Sequence, residues 1–297
     1  MKRWYDAVRA KSEITATEYL RRLNALVRFT KMQPREMVEK CRAEGDGRAF
    51  VVGLAKELGR RGMSGGYVYN HAKALGSWLE YNHIPTPLSA VRVRLGRLSR
   101  QLPRRFPGPL PTKAEVLRLV ESCSSPSAKL ALGLAAFSGL RPGQVRELAF
   151  SNLVEFSTAG KQFSQVPSRI DMINAVTGRK YYSFLSADGC ELLLDDLSTR
   201  GHVASTETVV TKQGLTEADR VLRVAKVKWF ELRRFFASSC ELAALQLPSR
   251  PLPHDAISFT LGHAVNGDFP IDRSFFDPKV IGLLRQGYTQ IEKECFT

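Results

Sequence analysis

The sequence of 297 residues has no long apolar run, no cysteine framework and no surplus of acidic residues, and each absence excludes a class of protein. Its longest apolar stretches, such as Leu130 to Phe137, fall far short of the ~20 residues that a membrane-spanning helix needs. The N-terminus opens on Lys2 and Arg3 without an apolar signal region, so an intracellular, cytoplasmic protein with no membrane partner is expected. Five cysteines (Cys41, Cys123, Cys190, Cys240 and Cys295) form no CxxC pair and no Cys/His cluster of zinc-ligand spacing. Free thiols in a reducing compartment and no bound metal are expected. The chain also has no Walker loop, HExxH motif or acidic metal cluster, which leaves no cofactor expected. With 43% hydrophobic and 25% charged residues the composition is that of a folded globular chain, and at roughly 100–200 residues per domain the length suggests two domains.

What the chain does have is positive charge. Lys and Arg number 44 against 29 Asp and Glu, a formal +15, which is the electrostatic footprint of a polyanion binder. The charge is uneven: residues 1–108 hold 22 basic and 9 acidic residues, net +13, whereas the remainder holds 22 and 20, net +2.

The pattern divides the chain into a helical domain over residues 1–85, a basic linker over 86–111 and a mixed domain over 112–297. Helical periodicity is read over Ile14 to Phe29, Pro34 to Cys41, Phe50 to Leu58 and Tyr67 to Leu79, a four-helix domain whose Trp4, Tyr5, Trp78 and Tyr81 are packing aromatics. The linker carries Arg92, Arg94, Arg97, Arg100, Arg104 and Arg105 without acidic neighbours, and such a segment can lie along DNA phosphates. In the second domain, Thr112 and Glu115 form a capping box and Ser127 to Phe137 reads as a buried helix. Ser168 to Val176 and Lys180 to Leu185 read as a β-hairpin turning at Thr177-Gly178-Arg179. Further helices are expected near Asp188 to Leu197, Thr216 to Lys226 (capped through Asp219), Trp229 to Leu245, Pro253 to Leu261 and Asp277 to Glu294. His71, His83, His202 and His254 read as ordinary surface or loop residues.

Three segments carry chemistry. In Ser138-Gly139-Leu140-Arg141-Pro142-Gly143 a small-residue turn delivers Arg141 just ahead of a helix, where a guanidinium can clamp a phosphate with two parallel hydrogen bonds. Phe230-Glu231-Leu232-Arg233-Arg234-Phe235-Phe236 sets Arg233 on an apolar helix, a costly place for a charge without an anionic partner. Thr260-Leu261-Gly262-His263 ends another helix at a Gly-His step, and Tyr288 lies in the last helix.

In this order the segments resemble the tyrosine recombinase (phage-type integrase) family, and more closely the integrases of archaeal viruses and plasmids, over nearly the whole chain. The resemblance implies a mostly α fold with a small β-hairpin, in which a helical core-binding domain is joined by the basic linker to an α+β catalytic domain. It also implies double-stranded DNA as partner, a monomer or dimer when free and a homo-tetramer on DNA. By that pattern Arg141 and Arg233 neutralise the phosphate oxygens in the transition state and His263 donates a further hydrogen bond. Lys180 on the hairpin, or Arg179 beside it, protonates the leaving 5′ oxygen. Paired guanidiniums suit phosphoryl transfer, which is catalysed largely by positioning and charge stabilisation. A tyrosine nucleophile stores the bond energy as a 3′-phosphotyrosine.

Two departures from the pattern stand out. Three residues before Arg233, where the family has His or Lys, this chain has Phe230, with Lys228 as the nearby substitute. Where the family's nucleophilic tyrosine follows the Leu-Gly-His step, this chain has Phe275 and Phe276. Three explanations remain open: Tyr288 is the nucleophile, in its own protomer or donated to a neighbour; a Tyr-to-Phe change has been introduced at Phe275 or Phe276; or the chain is a DNA-binding derivative without catalysis, an accessory or regulatory factor.

Overall fold

A computed structural model describes residues 1–45, 47–86, 96, 109–174, 178–200, 203–247, 252–263 and 274–296, and the chain divides into two compact units, Met1–Pro107 and Gly108–Thr297. The six linker arginines and His202 lie outside the described residues.

In the first unit, caps in the sequence set where the helices begin. Ser12 accepts the Thr15 N–H at the start of α2 (Glu13–Thr30). Pro34 at the first helical position, with Glu36 accepting the Gln33 N–H at 2.5 Å, starts α3 (Pro34–Glu44). α4 (Gly47–Arg60) and α5 (Gly65–Tyr81) follow, and Leu23, Leu26, Met37, Val51, Leu75 and Leu79 form the buried centre. Among the described residues the four-helix reading is corrected to five. α1 (Lys2–Arg9) buries only Trp4, so it has no apolar repeat to reveal it, yet Trp4 meets Trp78 edge-on at 5.5 Å and ties α1 to α5. His71 is also corrected: it is buried and stacked on Tyr67 at 3.8 Å, and burial lowers its pKa.

The second unit is mostly α with two small antiparallel sheets. α6 (Lys113–Glu121) starts at the Thr112–Glu115 capping box, with Glu115 accepting the Thr112 N–H at 2.7 Å. α7 (Pro126–Ala136) is the central helix: from Leu130 to Ala136 every residue is buried, and α6, α9 (Ala187–Thr199), α10 (Lys212–Ala225) and α11 (Trp229–Gln246) pack around it. A helix buried on all sides needs an apolar sequence all round rather than a stripe. α8 (Pro142–Glu147) leads to a two-residue ladder, β1 (Phe156–Ser157) with β2 (Gln162–Phe163). The main hairpin pairs β3 (Ser168–Ile173) with β4 (Lys180–Leu185), in register from Ser168 opposite Leu185 to Ile173 opposite Lys180. The chain closes with α12 (His254–Thr260), α13 (Pro278–Ile291) and a π-helical turn, Glu292–Phe296.

α10 begins before its expected start. Thr211, not Thr216, caps it by accepting the Gly214 N–H, and Asp219 instead accepts the Trp229 indole N–H at 2.6 Å. Among the described residues no helix is long and apolar enough to cross a membrane.

Candidate active site

Three chain segments converge through backbone features that the sequence specifies locally. After α7 ends, Gly139 takes a left-handed conformation (φ +67°), and a Cβ there would run into the Phe236 ring, so only glycine fits this turn. The turn presents Arg141 as the N-cap of α8, ahead of Pro142. The Gln144 side chain accepts the Arg141 N–H at 2.9 Å and fixes its backbone.

α12 ends in a Schellman motif: Gly262 (φ +63°) donates to the Phe259 carbonyl at 2.7 Å and His263 to the Ser258 carbonyl at 3.0 Å. The Leu-Gly-His step thereby turns His263 off the helix axis. α11 supplies Arg233, whose guanidinium spans the other two segments. Nη1 donates to the Gly139 carbonyl, while Nη2 donates to the Leu261 carbonyl at 2.5 Å and lies 3.5 Å from His263 Nε2.

Electrostatics agree with this geometry. Burial, then the nearby Arg141 cation, pushes the Arg233 pKa down to about 10, which leaves it charged at neutral pH. Burial, then Arg233 and Arg141, lowers the His263 pKa, so its imidazole is neutral there. Among the described residues neither arginine has an ion-pair partner. Two guanidiniums and an imidazole held together, with no carboxylate paired to them among the described residues, can form a site for an anion. Among the described residues no group of three His, Cys, Asp or Glu side chains could hold a metal ion.

The other expected site residues are placed differently. Lys180 is exposed at the turn end of β4, and its charge only partly opposes the rise that burial gives the Asp171 carboxyl pKa. Strand alternation puts Lys180 on the hairpin face opposite Tyr181. Arg179 is exposed beside it. Lys228 caps α11 and its ammonium lies 5.8 Å from the Phe230 ring centroid, while Phe230 itself is exposed.

Phe275 and Phe276 pack on α12, one turn before His263: Phe275 stacks on Phe259 at 4.4 Å, and Phe276 meets both Phe259 and Tyr182 edge-on. Tyr288 lies in the core of the second unit. It is 1% exposed, packs against Phe184, donates to the Phe137 carbonyl at 2.7 Å, and burial raises its pKa well above the usual phenol range. A phenol that is sealed off, neutral and engaged with the backbone cannot attack a phosphate in this conformation.

Three contributors escaped the sequence reading. Tyr181 accepts a hydrogen bond from Gln144 and acts electrostatically on Arg233. The signal that could have found Gln144 is its place as the third residue of the helix that starts at Pro142. Asn174, just beyond β3, donates to the Gly262 carbonyl at 2.8 Å, and nothing in the sequence singles it out.

No family model matches the chain, and no curated protein matches it. Among solved structures it is similar to a XerA recombinase, with 17% identity over 97% of both chains and a TM-score of 0.38. It is also similar to a lambda integrase (75–356) dimer bound to a COC′ core site, with 17% identity over 93% of both chains and a TM-score of 0.47.

Proposed function

We propose that this chain is a DNA strand-exchange protein of the tyrosine recombinase type, akin to the integrases of archaeal viruses and plasmids, whose second unit holds one backbone phosphate of duplex DNA. The observation that carries this reading is the convergence of Arg141, Arg233 and His263, from three separate segments, with no ion-pair partner for either arginine among the described residues. Such a site stabilises the charge that builds on the non-bridging oxygens when a phenol attacks phosphorus and the 5′ oxygen leaves. Under this reading Lys180, or Arg179, at the turn end of the hairpin, delivers the proton to that oxygen in the DNA complex. Four protomers act on two sites.

A second reading, DNA binding without cleavage by this chain, is supported by the tyrosines. The second unit contains three, Tyr181, Tyr182 and Tyr288, and all are buried with their hydroxyls engaged by Gln144, the Phe275 carbonyl and the Phe137 carbonyl. Phe275 and Phe276 pack against Phe259, one turn before His263, and phenylalanine has no nucleophilic oxygen.

One experiment separates the readings. A nicked duplex substrate that traps covalent intermediates is incubated with the chain as it stands, with Phe275→Tyr and with Phe276→Tyr, and denaturing gels are scored for a protein–DNA adduct. The first reading predicts an adduct from the unaltered chain or from one of the two variants, abolished by adding Arg141→Ala. Adduct formation by the unaltered chain that is lost in Tyr288→Phe would restore Tyr288 as nucleophile. No adduct from any variant, with DNA binding intact, leaves the binding-only reading.

A further inference from the structure

The inference drawn here deepens the phosphate-site reading and rests on it. We propose that Tyr181 is a positioning residue that fixes Arg141 relative to His263, its hydroxyl holding one and its ring the other.

The hydroxyl side runs through Gln144. Tyr181 Oη accepts from Gln144 Nε2, and Gln144 Oε1 accepts the Arg141 N–H at 2.9 Å, so the phenol is joined by two hydrogen bonds to the backbone that carries the guanidinium. The ring side meets the histidine turn: a Cβ on Gly262 would lie 2.6 Å from Tyr181 Cζ, so the backbone rests directly on the phenol ring. The same hairpin holds that turn a second time through Asn174, which donates to the Gly262 carbonyl.

β4 also grips the other end of the arginine loop. Ser183, on the same strand face as Tyr181, donates to the Ser138 carbonyl at 2.7 Å. The loop Ser138–Arg141 is thus bracketed by alternate residues of one strand. A buried phenol hydroxyl needs a hydrogen-bond partner, and here that partner is Gln144, whose amide oxygen in turn holds the Arg141 backbone.

The test reads geometry without DNA or catalysis. Arg141 is one of the cations acting on His263, so displacing Arg141 changes where the imidazole titrates. The full-length chain, Tyr181→Phe, Gln144→Leu and Arg141→Gln are each followed by NMR titration of the His263 ring, with thermal melts alongside. Arg141→Gln is expected to raise the His263 midpoint towards the ordinary value of about 6.5. Tyr181→Phe, which keeps the ring, and Gln144→Leu are expected to reproduce most of that rise with folded melting curves. An unchanged midpoint in a folded Tyr181→Phe overturns the proposal, and if that variant does not fold, an unchanged midpoint in Gln144→Leu does so. No rise in Arg141→Gln itself means that Arg141 does not face His263, which overturns the phosphate-site reading and this proposal with it.

Discussion

Burying a guanidinium without a carboxylate costs free energy, and Arg233 offsets that cost with two backbone carbonyls from different segments. The arrangement orients the fork but leaves its charge uncancelled, and His263 registers the result. With its pKa lowered by burial, Arg233 and Arg141, the imidazole is neutral when the site is empty. A DNA phosphodiester keeps one negative charge from pH 5 to 8, so its arrival raises the His263 pKa and binding takes up a proton. DNA affinity is therefore expected to rise as pH falls through the window between the lowered free value and the higher bound value, around and below about 6.5. Folding shows the opposite trend. The unfolded chain protonates this histidine near 6.5 and the empty folded site resists protonation, so this contribution to stability is lost as pH drops below that point. Fluorescence anisotropy of a short duplex between pH 5.5 and 7.5 checks the first statement; the same pH slope in His263→Phe would refute it. The histidine and both arginines were legible in the sequence because each sits in a short segment with its own local logic. Tyr181 was not, since its role depends on strand alternation and on Gln144 lying across from it, which no single segment contains.

The elements were legible wherever a cap or a long apolar repeat marked them. Thr112 and Glu115 announced α6, and the continuous apolar run of α7 announced a helix buried on every side. The ladder of β1 and β2 has two residues per strand, too few for any period, and α10 hid its start because Lys212, Gln213 and Gly214 carry no apolar signal. A tertiary ion pair is equally invisible to local reading. Glu155, just before β1, accepts from Arg285 on α13 at 2.6 Å, from the Arg169 N–H at 2.5 Å and from Ser168 Oγ at 3.3 Å. Both partners of the pair are largely buried, with side-chain exposures of 10% for Arg285 and 14% for Glu155. One carboxylate therefore fastens the main hairpin to the C-terminal helix that follows Phe275 and Phe276. Arg285→Met leaves Glu155 charged and unpaired, and is expected to cost about 3–5 kcal/mol in denaturant unfolding. Adding Glu155→Gln should recover part of that loss. A cost below about 1 kcal/mol for Arg285→Met would mean that the pair does not hold the hairpin to α13.

Across the whole molecule, charge and site are segregated: residues 1–108 carry net +13, and the unit with the arginine cluster is close to neutral. A protein that placed its affinity in the cluster would show the reverse. The distribution suits a division in which the first part supplies sequence-independent attraction to the phosphate backbone and the second positions one phosphate. That division predicts how binding responds to salt. Each phosphate neutralised on duplex DNA releases counterions and contributes about −0.9 to the slope of log K against log salt concentration. If the linker arginines lie on the backbone as proposed, replacing Arg92, Arg94, Arg97, Arg100, Arg104 and Arg105 by glutamine should flatten that slope by up to about 5. Replacing Arg141 and Arg233 should flatten it by no more than about 1, because both converge on the same phosphate. The two sets also differ in what else they change: the linker variant is expected to weaken binding to all duplexes alike, whereas the cluster variant removes adduct formation in the tyrosine-restored chain. An unaltered slope in the linker variant would place those arginines off the DNA, and the attraction would then have to come from the 16 Lys and Arg residues between Lys2 and Lys73.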